Sequence, residues 1–280
     1  MVDEVTPKPQ AGAAGPQGHA EASCGGGEPA PSPVAGALRS DSGDSFNPDR
    51  DEVGRLVSEV RGRVQEDAPL APLTTFCIGG PARLLVAPAD EGDIVTVLSF
   101  CRSTGAPLYV LGGGSNVLVP DEGVEGVVLR TAGALDRLAV EDGLIVAGAG
   151  VGDERLSEFA LGLSHTGFEW IFDIPGTVGG AVYMNAGNSD GEMKDGLVRV
   201  RWLAPDGKGC EGDAASLDLG YRASRFQERP GIIVKAWLRL GARDDAGAIR
   251  GRMEAIRDLR SRSGVPGRCS GGLQGITRAS

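Results

Sequence analysis

A strand–helix–strand pattern ends directly in Gly112-Gly113-Gly114-Ser115-Asn116, and it constrains the fold more than any other feature of the sequence. Residues 83–87 and Leu108–Leu111 are the predicted strands. Between them, apolar residues recur at i, i+3, i+4 and i+7, the spacing of an amphipathic helix, at Ile94, Val97, Leu98 and Cys101. The pattern predicts a β-α-β unit that delivers a glycine segment to the end of a strand.

Similar patterns continue along the chain and predict an α+β fold. Alternating or continuous apolar runs predict strands at 126–129, 144–147, 198–203 and 232–240. Helical spacing predicts helices at 52–60, around 156–163 and at 245–262. We expect the stripe of the last helix, Ile249, Met253 and Ile256, to be exposed for want of a partner domain.

Composition excludes several classes of protein. The net charge of −10 and the pI near 4.8 argue against a nucleic-acid partner, whose binding surface would be basic. No apolar run approaches the roughly 18 residues of a membrane span, and the first residues do not resemble a signal peptide. Five scattered cysteines and two histidines favour reduced thiols and no metal site. We therefore expect a cytoplasmic protein without membrane contact.

The first 46 residues consist mainly of Ala, Gly, Pro and Ser and contain few large apolar side chains. Such a segment buries too little surface to offset the entropy of ordering, so we expect a disordered tail.

Two glycine-rich segments are the candidate binding elements. The first, Gly112, Gly113, Gly114, Ser115 and Asn116, can align backbone N–H groups around an anion, although it is neither a P-loop nor a Rossmann fingerprint. The second comprises Ile174, Pro175, Gly176, Thr177, Gly179, Gly180 and Ala181 and is followed by Asn185 and Gly187. Two such loops suit a long ligand with a pyrophosphate and a flat ring. The alternative is a pair of tight turns.

A third segment, 220–226, contains Tyr221 and Arg222. The planar guanidinium of Arg222 could hold a carboxylate or phosphate, although an arginine in a polar loop is also a common surface charge. His165 is predicted to end a helix rather than act as a base. Cys77 and Cys101 are predicted to be buried small hydrophobic residues.

Together these segments resemble the UDP-N-acetylenolpyruvoylglucosamine reductase family, also called UDP-N-acetylmuramate dehydrogenase. Matching stretches occur in the family's order at 73–82 (Leu-Thr-Thr-Phe-Cys-Ile-Gly-Gly-Pro-Ala), 111–119, 147–151, 174–187 and 220–226. The resemblance covers residues 67–262. It implies an FAD-binding domain of the vanillyl-alcohol-oxidase type, with subdomains at 47–118 and 119–242. A third domain would begin with the helix at 243–262 and be largely missing.

The resemblance also implies an activity and its site. NADPH would reduce FAD, and the flavin would pass hydride to the enolpyruvyl group of a UDP-sugar, forming UDP-N-acetylmuramate for peptidoglycan. A serine, an arginine and a glutamate would assist by protonation and by stabilising an enolate-like intermediate. Arg222 matches the arginine, Tyr221 and Arg222 would bind substrate, and both glycine segments with Asn185 and Gly187 would contact FAD. Cys77 departs from the family, which often has arginine there.

The end of the chain departs further from the family. Neither the motif that carries the serine nor the later glutamate is found after residue 262. Codons compatible with residues 265–271, read one base early, permit Ser-Ala-Gly-Ser-Val-Phe-Arg, which is close to the missing motif. We therefore expect 263–280 to be translated out of frame. Two alternatives remain open, a catalytically inactive FAD-binding remnant and another oxidase of the same fold.

Overall fold

The structure is a computed structural model that describes Phe46, residues 48–262 and the backbone of two short strands, 37–38 and 274–275. The strands are β1 Ala37–Leu38, β2 Arg63–Pro69, β3 Pro81–Ala87, β4 Leu108–Leu111, β5 Val117–Leu118, β6 Val124–Arg130, β7 Leu138–Glu141, β8 Leu144–Gly148, β9 Gly187–Asn188, β10 Gly191–Glu192, β11 Leu197–Leu203, β12 Gly209–Asp213, β13 Ile232–Arg239 and β14 Gln274–Gly275. The helices are α1 Arg50–Glu59, α2 Glu91–Thr104, α3 Asp153–Gly162, α4 Val178–Met184, α5 Met193–Gly196 and α6 Ala246–Arg262.

The first sheet has the strand order β1-β4-β6-β3-β2. Strand β6 pairs in parallel with both β3 and β4, whereas β1 and β2 pair antiparallel at the two edges. The predicted β-α-β unit, β3-α2-β4, is therefore present, but β6 lies between its strands. One face of this sheet packs on α1 and α2 through a core that includes Leu84, Leu129, Ile94 and Leu98.

Local hydrogen bonds fix the start of α2, which precedes β4. The Asp90 side chain accepts from the N–H groups of Gly92 and Asp93, as expected of an N-cap. Burial would raise the pKa of Asp93, but N–H donors from Ala89, Arg61 and Gly62 hold it below its ordinary value. The charged carboxylate thus ties the helix to the loop before β2.

The second sheet is antiparallel throughout, in the order β12-β11-β13-β8-β7. Its core-facing side chains, including Ile145, Val200 and Leu238, pack in one cluster with residues of α3 and α4. Its other face reaches the first sheet, because Leu203, Ile232 and Val234 join the core around α2. Arg201 adds a 2.6 Å ion pair with Glu91 across the contact.

The position of β6 in the first sheet bears on where the two subdomains divide. The sequence-based boundary between 118 and 119 would assign β6 to the second subdomain. We propose that the first subdomain extends through Arg130, because β6 is the central strand of the first sheet.

Helix α6 docks on the second subdomain, so the expectation of an exposed apolar stripe is wrong. Ile249 and Met253 are buried against Leu161 and Phe172. Ion pairs strengthen the contact, among them one of 3.1 Å between Arg260 and Asp173. Ile256, the third residue of the stripe, is half-buried, and Leu259 further along the helix is 65% exposed.

The two predicted tails, 1–46 and 263–280, lie almost entirely outside the described residues. Within them, β1 pairs with β4, β14 pairs with β5, and Phe46 packs edge-on against Phe100. No helix in the described part of the chain is long and apolar enough to cross a membrane.

Candidate functional site

The two glycine-rich segments lie in direct contact. A Cβ on Gly112 would lie 2.7 Å from Thr177 Oγ1, and one on Gly113 would lie 3.0 Å from Gly176 Cα. Ser115 Oγ donates a 2.6 Å hydrogen bond to the carbonyl of Pro175. Side chains at these glycines would push the segments apart, so their absence lets two distant parts of the chain meet at the end of β4.

A third segment, which contains Leu73 and Thr75, packs against the first glycine segment. Gly114 has φ +68°, and a Cβ on it would lie 2.0 Å from the carbonyl oxygen of Leu73. The N–H of Thr75 donates to the carbonyl of Gly114 at 3.0 Å. Cys77 is exposed, contrary to the prediction, because it lies in an irregular segment after the turn and not in a helix or strand that packs on a core. Cys101 is buried as predicted, and burial raises its thiol pKa to about 12.

The second segment is not a loop throughout, because α4 begins at Val178. Gly179 lies in the helix, where a Cβ would approach that of Ala149 to 2.9 Å. The N–H groups of Val178 and Gly179 donate to the carbonyls of Val151 and Ala149. Gly179 therefore serves close packing of the helix on the chain after β8, and the N–H groups of Val178 and Gly179 are already bonded within the protein.

Several buried polar atoms near the junction have no hydrogen-bond partner among the described residues: Asn116 Oδ1, Asp153 Oδ1, Ser157 Oγ and Thr177 Oγ1. Asp153 begins α3 and its Oδ2 would lie 2.5 Å from a Cβ on Gly176. Complete burial raises the pKa of Asp153 well above its ordinary value, so the carboxyl is held towards its neutral form. Unsatisfied buried groups are rare in proteins, so these atoms are candidate contacts for a polar ligand or water.

Asn185 ends α4 in the left-handed conformation, with φ 41°, and is fully buried. Its Nδ2 donates to Glu192 Oε2 at 3.0 Å and to the carbonyl of Gly220 at 2.8 Å, while its Oδ1 accepts from the N–H of Lys194. Asn185 therefore joins three segments. Lys194, at 2.6 Å, is the main cause of the lowered pKa of Glu192.

Arg222 lies beside this junction. Its guanidinium donates to the carbonyl of Gly187 at 2.5 Å and of Asn185 at 3.5 Å, and its own carbonyl accepts from Gln227. Its φ of 54° is strained for a side chain of this size. Tyr221 is 83% exposed, and its ring centroid lies 5.2 Å from the Arg222 guanidinium carbon. The predicted site residues thus form two groups, at the start and end of α4, which is about 10 Å long.

Three further observations concern a surface depression, His165 and potential metal ligands. A shallow depression of about 410 Å³ is lined by Lys194, Ala214, Ala215, Asp218 and Leu219. His165 lies just after the end of α3, close to the helix end that the sequence predicts for it. Its Nδ1 lies 2.8 Å from the carbonyl oxygen of Gly241, which is a structural contact. No cluster of potential metal ligands occurs among the described residues.

Comparison with known proteins gives the class. Residues 82–212 match the FAD binding domain family, and these bounds include both glycine segments. A VAO-type flavoprotein from Myceliophthora thermophila C1 shares the fold, at 14% identity and a TM-score of 0.53 over 72% of this chain and 49% of that one. The predicted α+β fold and FAD-binding domain are confirmed.

The relatives narrow the class further. A UDP-N-acetylenolpyruvoylglucosamine reductase from Anaeromyxobacter sp. Fw109-5 is 43% identical over 230 residues, 82% of this chain and 70% of the relative. The crystal structure of the Thermus caldophilus enzyme of that name matches at 35% identity and TM-score 0.61, over 71% and 70% of the two chains. The chain belongs to the UDP-N-acetylenolpyruvoylglucosamine reductase family of FAD-dependent oxidoreductases. It spans 58% of the Anaeromyxobacter sp. strain K relative, at 44% identity.

Proposed function

We propose that this chain binds FAD and carries out the NADPH-driven reduction of UDP-N-acetylglucosamine enolpyruvate to UDP-N-acetylmuramate, a step of peptidoglycan precursor synthesis in the cytoplasm. The direct contact between the glycine segments is the observation that carries the proposal. The residues proposed to hold FAD are Gly112, Gly113, Gly114, Ser115, Asn116, Ile174, Pro175, Gly176, Thr177, Gly179, Gly180, Ala181, Asn185 and Gly187.

The fit to FAD rests on chemistry of the chain's own residues. Glycines at 112–114 leave backbone N–H groups without flanking side chains, a surface that suits a pyrophosphate. The unpartnered Asn116 Oδ1 and Thr177 Oγ1 lie at the same junction and supply polar contacts that a dinucleotide would satisfy. When bound, the flavin would supply the hydride chemistry.

Arg222 and Tyr221 are proposed to receive the UDP-sugar. Two backbone carbonyls hold the guanidinium of Arg222 in place, so its positive charge is preorganised. Fixed positive charge stabilises negative charge that develops on a reacting enolpyruvyl group. The exposed ring of Tyr221 offers a flat apolar contact beside that charge.

The test follows three readouts on the full chain: FAD binding by fluorescence, flavin bleaching by NADPH without oxygen, and formation of UDP-N-acetylmuramate. FAD binding and bleaching are expected. Product formation decides between the reductase and the inactive remnant, because the serine motif and the later glutamate are not found after residue 262. Binding and bleaching without product would instead support an inactive FAD-binding remnant, and product from another alcohol or sugar would support a different oxidase.

Substitution of the arginine tests its role. Arg222→Lys should lower the rate of product formation by about 10²–10³ while leaving bleaching by NADPH unchanged. Arg229→Lys, an exposed arginine of the same region, is the matched control. Equal rates for the two variants would contradict the role of Arg222.

A further inference from the structure

Arg130 lies where the first sheet meets the glycine junction. It is the last residue of β6 and pairs in register with Leu111, the residue that precedes Gly112. Strands β4 and β6 are parallel, so both strands end on the same side of the sheet. Ligands of parallel sheets bind at the carboxyl ends of the strands. Arg130 lies at this end of β6.

The strand pattern gives the face on which Arg130 lies. Side chains alternate along a strand, so Arg130 shares a face with Val128 and not with Leu129, which belongs to the core around α2. Val128 and Leu111 pack in the cluster that Leu73 also contacts. The carbonyl oxygen of Leu73 is the atom nearest to a Cβ built on Gly114. Arg130 is therefore on the face of the sheet that borders the glycine segment.

The side chain of Arg130 is half-buried and lacks a counterion in the described part of the chain. Its Nε is buried without a hydrogen-bond partner, and the structure gives its guanidinium no ion pair with any described carboxylate. In contrast, Arg83 on the neighbouring strand β3 forms a 2.8 Å ion pair with Asp67. A partly desolvated guanidinium without an anion is unfavourable, because it has lost water and gained nothing in return.

A phosphate is the anion that best suits this arrangement. A guanidinium presents a rigid planar fork of donors that matches two oxygens of a phosphate. The adjacent glycine segment offers N–H donors but no cation of its own. We propose that Arg130 binds the pyrophosphate of FAD and so determines the preference of the site for a phosphorylated flavin. This inference rests on the proposed FAD site.

The experiment compares wild-type protein with Arg130→Gln, titrating each with FAD and with riboflavin, which lacks phosphate, and following flavin fluorescence. Arg130→Gln should raise the dissociation constant for FAD by about 10- to 100-fold and leave that for riboflavin unchanged. Its FAD affinity should also depend less on salt concentration. Arg130→Lys should recover part of the loss, because the charge remains while the planar fork does not.

Arg83→Gln is the matched control, since it removes an arginine of the same sheet that lies near the start of its strand and not near the carboxyl end. Equal FAD affinity of wild type and Arg130→Gln would overturn the inference, and equal losses for FAD and riboflavin would reduce Arg130 to a structural role. Failure of the wild-type protein to bind FAD would instead contradict the proposed function. Urea unfolding of each variant separates a lost contact from a lost fold.

Discussion

Replacing Gly114 by alanine tests whether close approach of backbone segments builds the site. Gly114 and Gly133 have similar positive φ angles, +68° and +73°. A Cβ on Gly114 would lie 2.0 Å from Leu73 O, whereas one on Gly133 would have nothing within 4 Å. The two substitutions therefore share a backbone penalty and differ in the collision.

The magnitudes follow from these two terms. A left-handed conformation costs an alanine about 1–2 kcal/mol, so Gly133→Ala should lower the free energy of unfolding by that amount. In Gly114→Ala, the carbonyl must also retreat by about 1.5 Å to reach an ordinary contact distance. Overpacking of that kind costs about 1–3 kcal/mol, which gives a total of about 2–5 kcal/mol.

Urea unfolding gives the stability difference, and FAD titration gives its consequence for the site. Gly114→Ala should be the less stable variant and should bind FAD more weakly, because the shift separates Leu73 from the glycine segment. Gly133→Ala should keep wild-type FAD affinity. Equal unfolding free energies and equal FAD affinities for the two variants would refute the reasoning.

Two further predictions concern buried groups. Burial raises the pKa of Asp153 on folding. The stability that this residue contributes is therefore complete below its unfolded pKa of about 3.9. It falls by about 1.4 kcal/mol per pH unit as the pH rises from there towards the folded pKa. Asp153→Asn should therefore be more stable than wild type by a margin that grows with pH over that range, and a margin constant in urea unfolding across pH would contradict this. Met253→Ala should lower the free energy of unfolding by about 2–5 kcal/mol, because it opens a cavity beneath α6. Leu259→Ala, at an exposed position of the same helix, should change it by no more than about 0.5 kcal/mol. Similar losses for the two variants in thermal unfolding would argue against the docking of α6.

Much of the secondary structure was predictable because apolar patterns mark it directly. Leu108–Leu111 was predicted to the residue, since a short apolar run ends abruptly at glycine. Strand β2 was missed, because Arg63–Pro69 is a mostly polar edge strand with little apolar signal. The sequence predicts a loop at the start of α4, because Gly179 and Gly180 have low helix propensity. Only the structure shows that Gly179 packs on Ala149.

The site was predictable where glycine itself is the signal and not elsewhere. Contact between the two glycine segments could be suspected from composition, but the position of β6 depends on strand order, which local patterns do not encode. Arg130 and Asp153 were missed for related reasons. An arginine after a strand and an acid at a helix start are common surface features, and only the three-dimensional structure shows that these two have buried atoms without partners.

Titration of the purified chain with FAD, followed by flavin fluorescence, tests the central claim most directly. The account predicts saturable binding with one FAD per chain, weakened by Gly114→Ala and by Arg130→Gln but not by Gly133→Ala or Arg83→Gln. A folded chain that leaves flavin fluorescence unchanged at every FAD concentration, or that binds FAD equally in all four variants, would contradict the account.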